Sequence, residues 1–501
     1  MDKKREKRLF NMIYFVLVSI IPLLFVEFEI DGDTYWIIKT GEYISNNSIP
    51  AKDFLTMHTN MDLVIQQWLS DVIFYGMYKF FGFLGVILLV YAVLFVFTIL
   101  MDRLCRLYTD RRIVRMLVLT FSNILMALVF FTTRPQIFTY CIIVIELIVL
   151  EKYVKTAKWQ YLIVLPFLSI LEVNLHASMW TMLFIILLPY IANSLPIKIK
   201  GKSISCCKTM PILITAVFMF LGGFINPYGF KGLAFIFTTS IGDKVNGSIS
   251  ELQPLSLTIS ISDIFYIAVV AIIVLTYILC RSSTQLRFAL LTLGTTVMAM
   301  LYIKLLAYFI FISYSALLVY LNGVDFKQYT NRIKKVSNKN SQNRDLKVIL
   351  IPAFCVIVAL FFVIVGLQNY EYIEKDYKTD KWIELDSAMK SVENDSQKTG
   401  KEIVLFNSFN TGGYLEFYDY KTYIDPRADS FVIEANHDYD YLTEYFEFFH
   451  GTKYYKDVIN KYDFTYLVFE KGGVLETTLS NDKDYERIFD GETYCVFTVI
   501  E

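Results

Sequence analysis

Apolar runs of membrane length recur along this chain up to about residue 366. Each run is roughly 17 to 22 residues long, which is enough for one helix to cross a bilayer. Hydrophobic residues make up 55% of the 501 residues, so the runs dominate the composition rather than interrupt it. The sequence therefore predicts a polytopic α-helical membrane protein.

The charged connections between the runs predict the orientation of the chain. If basic connections face the cytoplasm, the N-terminal MDKKREKR lies inside, and the span from Leu9 to Phe28 carries the following acidic loop to the outer face. Keeping residues 67–82 at the outer surface, without crossing, leaves every later basic connection inside. A multi-pass plasma-membrane protein with about eleven spans follows, at approximately 9–28, 83–101, 113–132, 136–151, 160–174, 178–195, 209–225, 262–280, 288–303, 305–321 and 347–366.

Two domains are expected from this pattern. Residues 1–366 form the transmembrane domain, with its first outer loop at 29–82, and residues 367–501 form an extracytoplasmic domain. After Leu367 the acids outnumber the bases by roughly 14, so the two parts face different environments. Short β-rich segments at 402–406, 421–425, 465–469 and 493–500 alternate with helical stretches at 412–419, 436–449 and 453–461. This alternation predicts a small α/β unit.

Several function classes are disfavoured by missing motifs. The sequence has no Walker motif, GxGxxG, GxSxG or HExxH, which argues against an ATP-driven pump and against the commonest hydrolases. Its seven cysteines form no CxxC pair or Cys/His cluster, so no structural zinc site is predicted. No acidic cluster has an obvious metal-ligand pattern; a divalent cation stays an open alternative. No nucleic-acid partner is expected.

The first outer loop holds the candidate catalytic residue. Asp33 lies among Asp31, Trp36 and Asp53 directly after the first apolar run. A carboxylate at this place could accept the proton of an acceptor hydroxyl during sugar transfer. The alternative is a turn and helix cap formed by Asp31-Gly32-Asp33-Thr34. Asp53 is expected to position the loop or the substrate.

Polar residues of later connections fall near the same outer face. Arg134 and Lys304 are cations that could hold a phosphate, or they could simply reach out to lipid headgroups. Lys304 stands between apolar runs, where an ionisable residue is by default a functional candidate. His176 could bind a phosphate or a sugar hydroxyl, or it could satisfy Asn174 and a backbone carbonyl. The further substrate-binding candidates at this face are Asn174, Asn226 and Glu251.

A third candidate region lies in the C-terminal domain, between Phe406 and Phe431. Gly412 and Gly413 allow a close backbone approach, and three charged residues follow, Asp425, Arg427 and Asp429. Such a group could bind a sugar or an anion. Equally, a buried Arg–Asp pair could fix this domain onto the membrane part.

These motifs, taken together, resemble the GT-C superfamily of integral membrane glycosyltransferases. More narrowly, the chain is similar to a group of bacterial multispanning proteins with D-x-x-W-x-x-x-T-G-E and P-x-x-D-x-x-T in the first loop, here Asp33, Trp36, Thr40, Gly41, Glu42, Pro50, Asp53 and Thr56. The later elements of that group are also present, namely W-L, RPQ, N-x-H, NPYG, GGYL and D-x-R-x-D. The chain departs from the group at Ile37, where a histidine is common, and at Lys304, where an arginine is common.

The resemblance implies a function for these residues. Asp33 would act as the base, and Arg134 and Lys304 would bind the carrier phosphate. The hypothesis is an inverting glycosyltransferase that moves a sugar from a polyprenyl-phosphate carrier to a cell-envelope glycan or lipid, in contact with membrane lipids. Two alternatives stay open, a transporter or flippase for lipid-linked saccharides and a non-catalytic envelope assembly protein.

Overall fold

The membrane part of the chain is built of helices. A computed structural model describes residues 3–196, 198–199, 202–203, 205–239, 253–254, 285–322 and 369–500. Within these ranges, the helices before residue 323 are α1 (Lys3–Phe15), α2 (Gly32–Asn46), α3 (Trp68–Tyr108), α4 (Arg112–Val129), α5 (Gln136–Thr156), α6 (Val164–Leu175), α7 (Trp180–Ser194), α8 (Thr209–Gly222), α9 (Phe230–Thr239), α10 (Leu286–Leu301) and α11 (Ile303–Leu321). A short antiparallel pair joins β1 (Lys198–Ile199) to β2 (Lys202–Ser203).

Within the described ranges, five helical segments are long and apolar enough to cross a membrane: Lys4–Phe25, Trp68–Tyr108, Arg112–Val129, Ala177–Ser194 and Ile303–Leu321. Shorter apolar helices cover Trp159–Leu175, Thr209–Gly222 and Leu286–Leu301. The chain is therefore a membrane protein with several apolar helices. The spans expected at 262–280 and 347–366 lie outside the described residues. The total of about eleven spans stays a prediction, as does the orientation of the termini.

Helix α3 changes direction at Gly82. This residue has φ 61° and ψ −155°, a backbone conformation that glycine adopts without steric cost. The kink falls where the sequence predicts that a surface helix ends and a span begins. Helix α2 packs tightly against the segment before the kink, since a Cβ on Gly41 would lie 2.0 Å from the carbonyl oxygen of Asp71. The first loop is thus folded onto the start of α3.

The C-terminal unit contains a four-stranded sheet. Its strands are β3 (Leu405–Asn407), β4 (Tyr466–Glu470), β5 (Tyr485–Asp490) and β6 (Tyr494–Val499), in the order β3-β4-β6-β5. The β3–β4 pair is parallel, and the other two pairs are antiparallel. The helices of this unit are α12 (Asp380–Thr399), α13 (Gly412–Phe417), α14 (Ile433–Asn436), α15 (Tyr441–Phe449), α16 (Tyr455–Tyr462) and α17 (Val474–Ser480).

The strand predicted at 421–425 is wrong. This segment runs beside β3, but the side chain of Asn407 makes the contact: its Oδ1 accepts from the backbone N–H of Tyr423 at 2.8 Å, and its Nδ2 donates to the carbonyl of Ile424 at 2.7 Å. An amide side chain can replace one backbone partner in this way. The strand β5 was not predicted, because charged residues interrupt the apolar alternation of YERIFD.

Aromatic side chains join the C-terminal unit to the first loop. The rings of Trp382 and Tyr414 stack with centroids 4.7 Å apart, and Tyr35 of α2 meets Tyr414 edge-on at 4.8 Å. A Cβ on Gly413 would lie 2.9 Å from the ring of Trp36, so a side chain there would push the two parts apart. Close approach is the physical role of this glycine.

Candidate active site

The start of α2 places Asp31 and Asp33 beside Arg134. Asp31 caps the helix, since its side chain accepts from the backbone N–H of Asp33 at 2.9 Å. Thr133 holds the start of α2 in place, because its hydroxyl accepts from the backbone N–H of Asp31 and its carbonyl accepts from the hydroxyl of Thr34. The guanidinium of Arg134 lies 2.8 Å from Asp31 through Nε and 3.3 Å from Asp33 through Nη2. Asp31 is therefore the helix cap that the sequence offered as the alternative. Asp33 lies in the first turn of α2 and faces a cavity.

Three adjoining cavities share these residues. The first has a volume of about 690 Å³ and is lined by Asp33, Trp36, Arg134, Lys304, Arg427 and Asp429, among others. The second, of about 360 Å³, shares Asp33, Arg134 and Lys304 and adds His176. The third, of about 410 Å³, shares Asp33 and Arg134 and extends to Glu27 and Glu29. Asp33 and Arg134 thus line all three cavities. Arg134 and Lys304, the two predicted phosphate-binding cations, both line the first two cavities.

His176 is a neutral hydrogen-bonding group in this arrangement. Its Nδ1 lies 2.9 Å from the hydroxyl of Thr139, which also lies 2.6 Å from Glu172. Burial, together with the nearby charges of Lys304 and Arg134, lowers the pKa of His176 from 6.5 to about 3. The ring lies between α6 and α7, and it contacts Thr139 rather than Asn174.

Asn174 and Asn226 lie away from these cavities. Asn174 accepts from the indole N–H of Trp68 at 2.7 Å and donates to the carbonyl of Ile225 at 2.8 Å. Asn226 donates to the carbonyls of Gly223 and Gly229. Both side chains thus organise the ends of helices, and both line a separate groove rather than the cavities around Asp33. Glu251 lies outside the described residues.

Asp53 joins the first loop to the C-terminal unit through Arg427. Nη1 of Arg427 lies 2.9 Å from Asp53, and its Nε donates to both oxygens of Asp425 at 2.9 and 3.0 Å. The backbone N–H and hydroxyl of Thr56 both donate to Asp53 at 2.7 Å. Burial alone would raise the pKa of Asp53, but Arg427 and Thr56 outweigh it and hold that pKa below its usual value. These contacts form a buried Arg–Asp group that fixes the two parts together. This is one of the two interpretations that the sequence left open.

This charged group also reaches the first cavity, of about 690 Å³, which we call the main cavity. Arg427 lines it, with its guanidinium 6.0 Å from the ring of Trp36. Asp429 lines it as well and accepts from Gln66 at 3.4 Å. Burial raises the pKa of Asp429, while Lys304 and Gln66 act in the opposite direction. In the D-x-R-x-D segment, Asp425 is therefore buried in the contact between the first loop and the C-terminal unit, and Asp429 lies at the cavity. Arg427 takes part in both.

The acids at the start of α2 pair with a cation of the protein. In the part of the chain that the structure describes, no three His, Cys, Asp or Glu side chains lie close enough to hold a metal ion. Asp31 and Asp33 both contact Arg134.

Sequence reasoning missed several residues that line the main cavity. They come from three places: Gln66 and Gln67 before α3, Asn410 after β3, and Glu470 at the end of β4. The run QQW, which leads into α3, was a local signal for the first two. Asn410 and Glu470 carried none, because their position depends on how the C-terminal unit sits on the loop.

His58 lies in the contact between the loop and the C-terminal unit. Its Nε2 is 2.8 Å from the carbonyl of Tyr423, and its ring stacks on Tyr441 at 3.7 Å. Burial lowers the pKa of His58 from 6.5 to about 4. The folded protein therefore holds this ring neutral.

We expect this histidine to make stability depend on pH. Between about pH 6.5 and 4 the unfolded chain binds the proton and the folded chain does not, so stability falls as the pH falls through this window. The loss is at most about 3 kcal/mol. Thermal unfolding of the purified protein from pH 7 to 4 measures it, with His58→Gln as the comparison. An equal fall in wild type and variant would contradict the assignment to His58.

No family model matches the sequence, and no curated protein matches it. By structure, the chain is similar to the archaeal oligosaccharyltransferase AglB from Archaeoglobus fulgidus, solved with an inhibitory peptide and a dolichol-phosphate. The TM-score is 0.55 at 12% identity, over 93% of this chain and 70% of that one. It is also similar to the Archaeoglobus fulgidus oligosaccharyltransferase tethered to an acceptor peptide containing the NVT sequon, with a TM-score of 0.53 at 13% identity, over 91% and 69%.

The chain shares the fold of these oligosaccharyltransferases. The likeness covers both the membrane helices and the C-terminal unit, because it extends over more than nine-tenths of the chain. The resemblance drawn from the loop motifs is thus confirmed for the fold. In this fold, the acidic start of α2 and the D-x-R-x-D segment come together around one group of cavities.

Proposed function

We propose that the chain is a glycosyltransferase that moves a sugar from a polyprenyl-phosphate carrier to a cell-envelope acceptor on the outer face of the plasma membrane. One observation carries the proposal: Asp33, Arg134 and Lys304 line the same cavity beside the membrane helices. A carboxylate and two cations are the groups that transfer from a lipid phosphate requires. The fold supports it, and the similar AglB was solved with a dolichol-phosphate.

Arg134 and Lys304 would bind the carrier phosphate. Arginine suits two-pronged contact with phosphate oxygens, and lysine acts as a point charge. Asp31 lies closer to Arg134 than Asp33 does, at 2.8 Å against 3.3 Å. A bound phosphate would therefore displace the longer contact, to Asp33, while Asp31 keeps the guanidinium oriented. Donor binding would in this way release Asp33 for the next step.

Asp33 would then accept the proton of the acceptor hydroxyl. As that oxygen bonds to the anomeric carbon, the bond from this carbon to the phosphate oxygen breaks, and the carrier phosphate keeps the electron pair. Arg134 and Lys304 stabilise this leaving group, since their charge is already in place as the bond breaks. Attack opposite the departing phosphate inverts the anomeric carbon.

The direct test is sugar transfer by the purified protein in detergent. Radiolabelled polyprenyl-phosphate sugars are offered with isolated cell-envelope material, and label is followed into the acceptor fraction. Transfer by the wild type is the expected result. If the folded protein neither binds nor consumes any donor across a broad panel of sugars, the proposal fails.

Replacing Lys304 by alanine should weaken binding of the carrier phosphate. A charge-assisted contact of this kind is worth about tenfold or more in affinity. The measurement is titration of undecaprenyl phosphate into protein in detergent. Lys231→Ala is the matched control, because Lys231 pairs with Asp62 and lies outside the three cavities. Equal affinity in the two variants would remove Lys304 from the phosphate site.

A further inference from the structure

The main cavity has an aromatic wall that the proposed chemistry does not use. It is formed by α15 and the residue after it, through Tyr445, Phe446, Phe449 and His450. The rings form two near-parallel pairs: Tyr445 and Phe449 have centroids 5.6 Å apart at 13°, and Phe446 and His450 are 5.7 Å apart at 18°. Phe446 and Phe449 are only partly buried, and His450 is exposed.

Contacts with buried residues of the C-terminal unit hold the aromatic wall in place. The hydroxyl of Tyr445 accepts from the backbone N–H of Phe409 at 3.0 Å, and its ring stacks on the buried Phe406. Phe448, one residue before Phe449, is fully buried against the same Phe406. Because these contacts fix α15, the rings facing the cavity form a preformed surface rather than a mobile one.

Polar side chains stand around the aromatic wall. They are Ser408, Asn410, Glu470, Gln66 and Asp429, which line the cavity together with the wall. Amide and carboxylate groups offer paired donors and acceptors to neighbouring hydroxyls. Flat aromatic faces pack against the C–H face of a pyranose ring, so the combination suits a saccharide. In the proposed function the carrier phosphate takes up Arg134 and Lys304, and Arg427 is already paired with Asp53 and Asp425. The charges left beside the wall are the acids Glu470 and Asp429, which favour a neutral saccharide over an anionic one.

A peptide fits this surface less well. Peptides bound in extended form commonly add to an exposed strand edge. The outer edge of β3, the strand that leads into the cavity, is already covered by Tyr423 and Ile424 through Asn407. The opposite edge strand, β5, contributes no residue to the cavity.

We infer that this wall is the acceptor subsite and that the acceptor is a neutral glycan, bound by the C-terminal unit so that one hydroxyl reaches Asp33. The inference rests on the proposed transferase function and narrows its acceptor from a glycan or lipid to a saccharide. The cavity volume of about 690 Å³ lies within the usual size of small-molecule sites, about 300 to 1,000 Å³.

The experiment measures binding of saccharides to the full chain in detergent. The probes are a β-1,4-linked N-acetylglucosamine tetramer, neutral hexose tetramers of different linkage and a panel of unstructured hexapeptides, each followed by ligand-observed NMR. We expect at least one saccharide to bind and no peptide to compete with it. Phe449→Ala should weaken that binding about tenfold, whereas Phe449→Trp should retain it.

Tyr454→Ala is the matched control, an aromatic of the same unit that is 58% exposed and lies outside the cavity. It should leave saccharide binding unchanged. Binding of undecaprenyl phosphate is measured on every variant and should stay at the wild-type value, which also shows that the fold is intact. Binding of peptides in place of saccharides, binding of neither, or full saccharide affinity in Phe449→Ala would overturn the inference. The proposed function would fail separately, through loss of donor binding and transfer by the wild type.

Discussion

Replacing Asp33 by asparagine should lower sugar transfer by about 10²- to 10⁴-fold while the donor still binds. Asparagine has nearly the same shape as aspartate but cannot accept the proton of the acceptor hydroxyl at neutral pH. The contact of 3.3 Å from Asp33 to Arg134 is also weakened, which should leave the guanidinium at least as available to phosphate. Single-turnover transfer and a donor titration, made on the same preparation, separate the two effects.

The chain supplies a matched control two residues away. Asp31→Asn makes the same chemical change in a carboxylate that also contacts Arg134, at 2.8 Å. Asparagine caps helices as well as aspartate does, so α2 should keep its start. We expect transfer in this variant to fall by less than about tenfold, since Asp31 orients Arg134 and takes no proton. Equal losses in the two variants would mean that Asp33 only holds Arg134.

Replacing Arg427 by methionine should destabilise the protein by about 3 to 5 kcal/mol. The guanidinium is 8% exposed and contacts Asp53 and Asp425, whose side chains are fully buried. Removing it leaves two buried carboxylates without their cation, which costs far more than the pair itself contributes. Thermal unfolding in detergent measures the loss, and protease cleavage in the first loop reports whether the loop has separated from the C-terminal unit.

Two further variants make this prediction specific. Arg487→Met removes an arginine of the same unit that pairs with Glu476 and Asp490 at a partly exposed site, and we expect a loss below about 1 kcal/mol. Adding Asp53→Asn and Asp425→Asn to Arg427→Met should restore part of the stability, because the unpaired charges are then gone. If Arg427→Met were no less stable than Arg487→Met, the buried joint would not hold the two parts together.

Local sequence patterns predicted much of the fold. The apolar runs predicted helices that the structure contains, and the position of Gly82 matches the expected change from surface helix to span. The alternation of short strands and helices predicted the α/β character of the C-terminal unit. It failed at 421–425, because nothing in that sequence shows that Asn407 supplies the hydrogen bonds in place of a strand.

The candidate site was predictable only in its parts. Asp33 was recognisable from its place after the first apolar run, and Arg134 and Lys304 from being charged beside apolar segments. The charge pairs were not recognisable, because Asp31 and Arg134, like Asp53 and Arg427, are more than a hundred residues apart.

The sequence by itself determined that this protein spans a membrane, that its first loop is acidic and aromatic, and that a small α/β unit follows. Those properties depend on residues near one another along the chain, where hydrophobic length and period act directly. Only the tertiary structure decided that Arg427 fixes the unit to the loop, and that the aromatic face of α15 meets the cavity of Asp33. Such contacts depend on how distant segments pack, and a local pattern does not specify that packing.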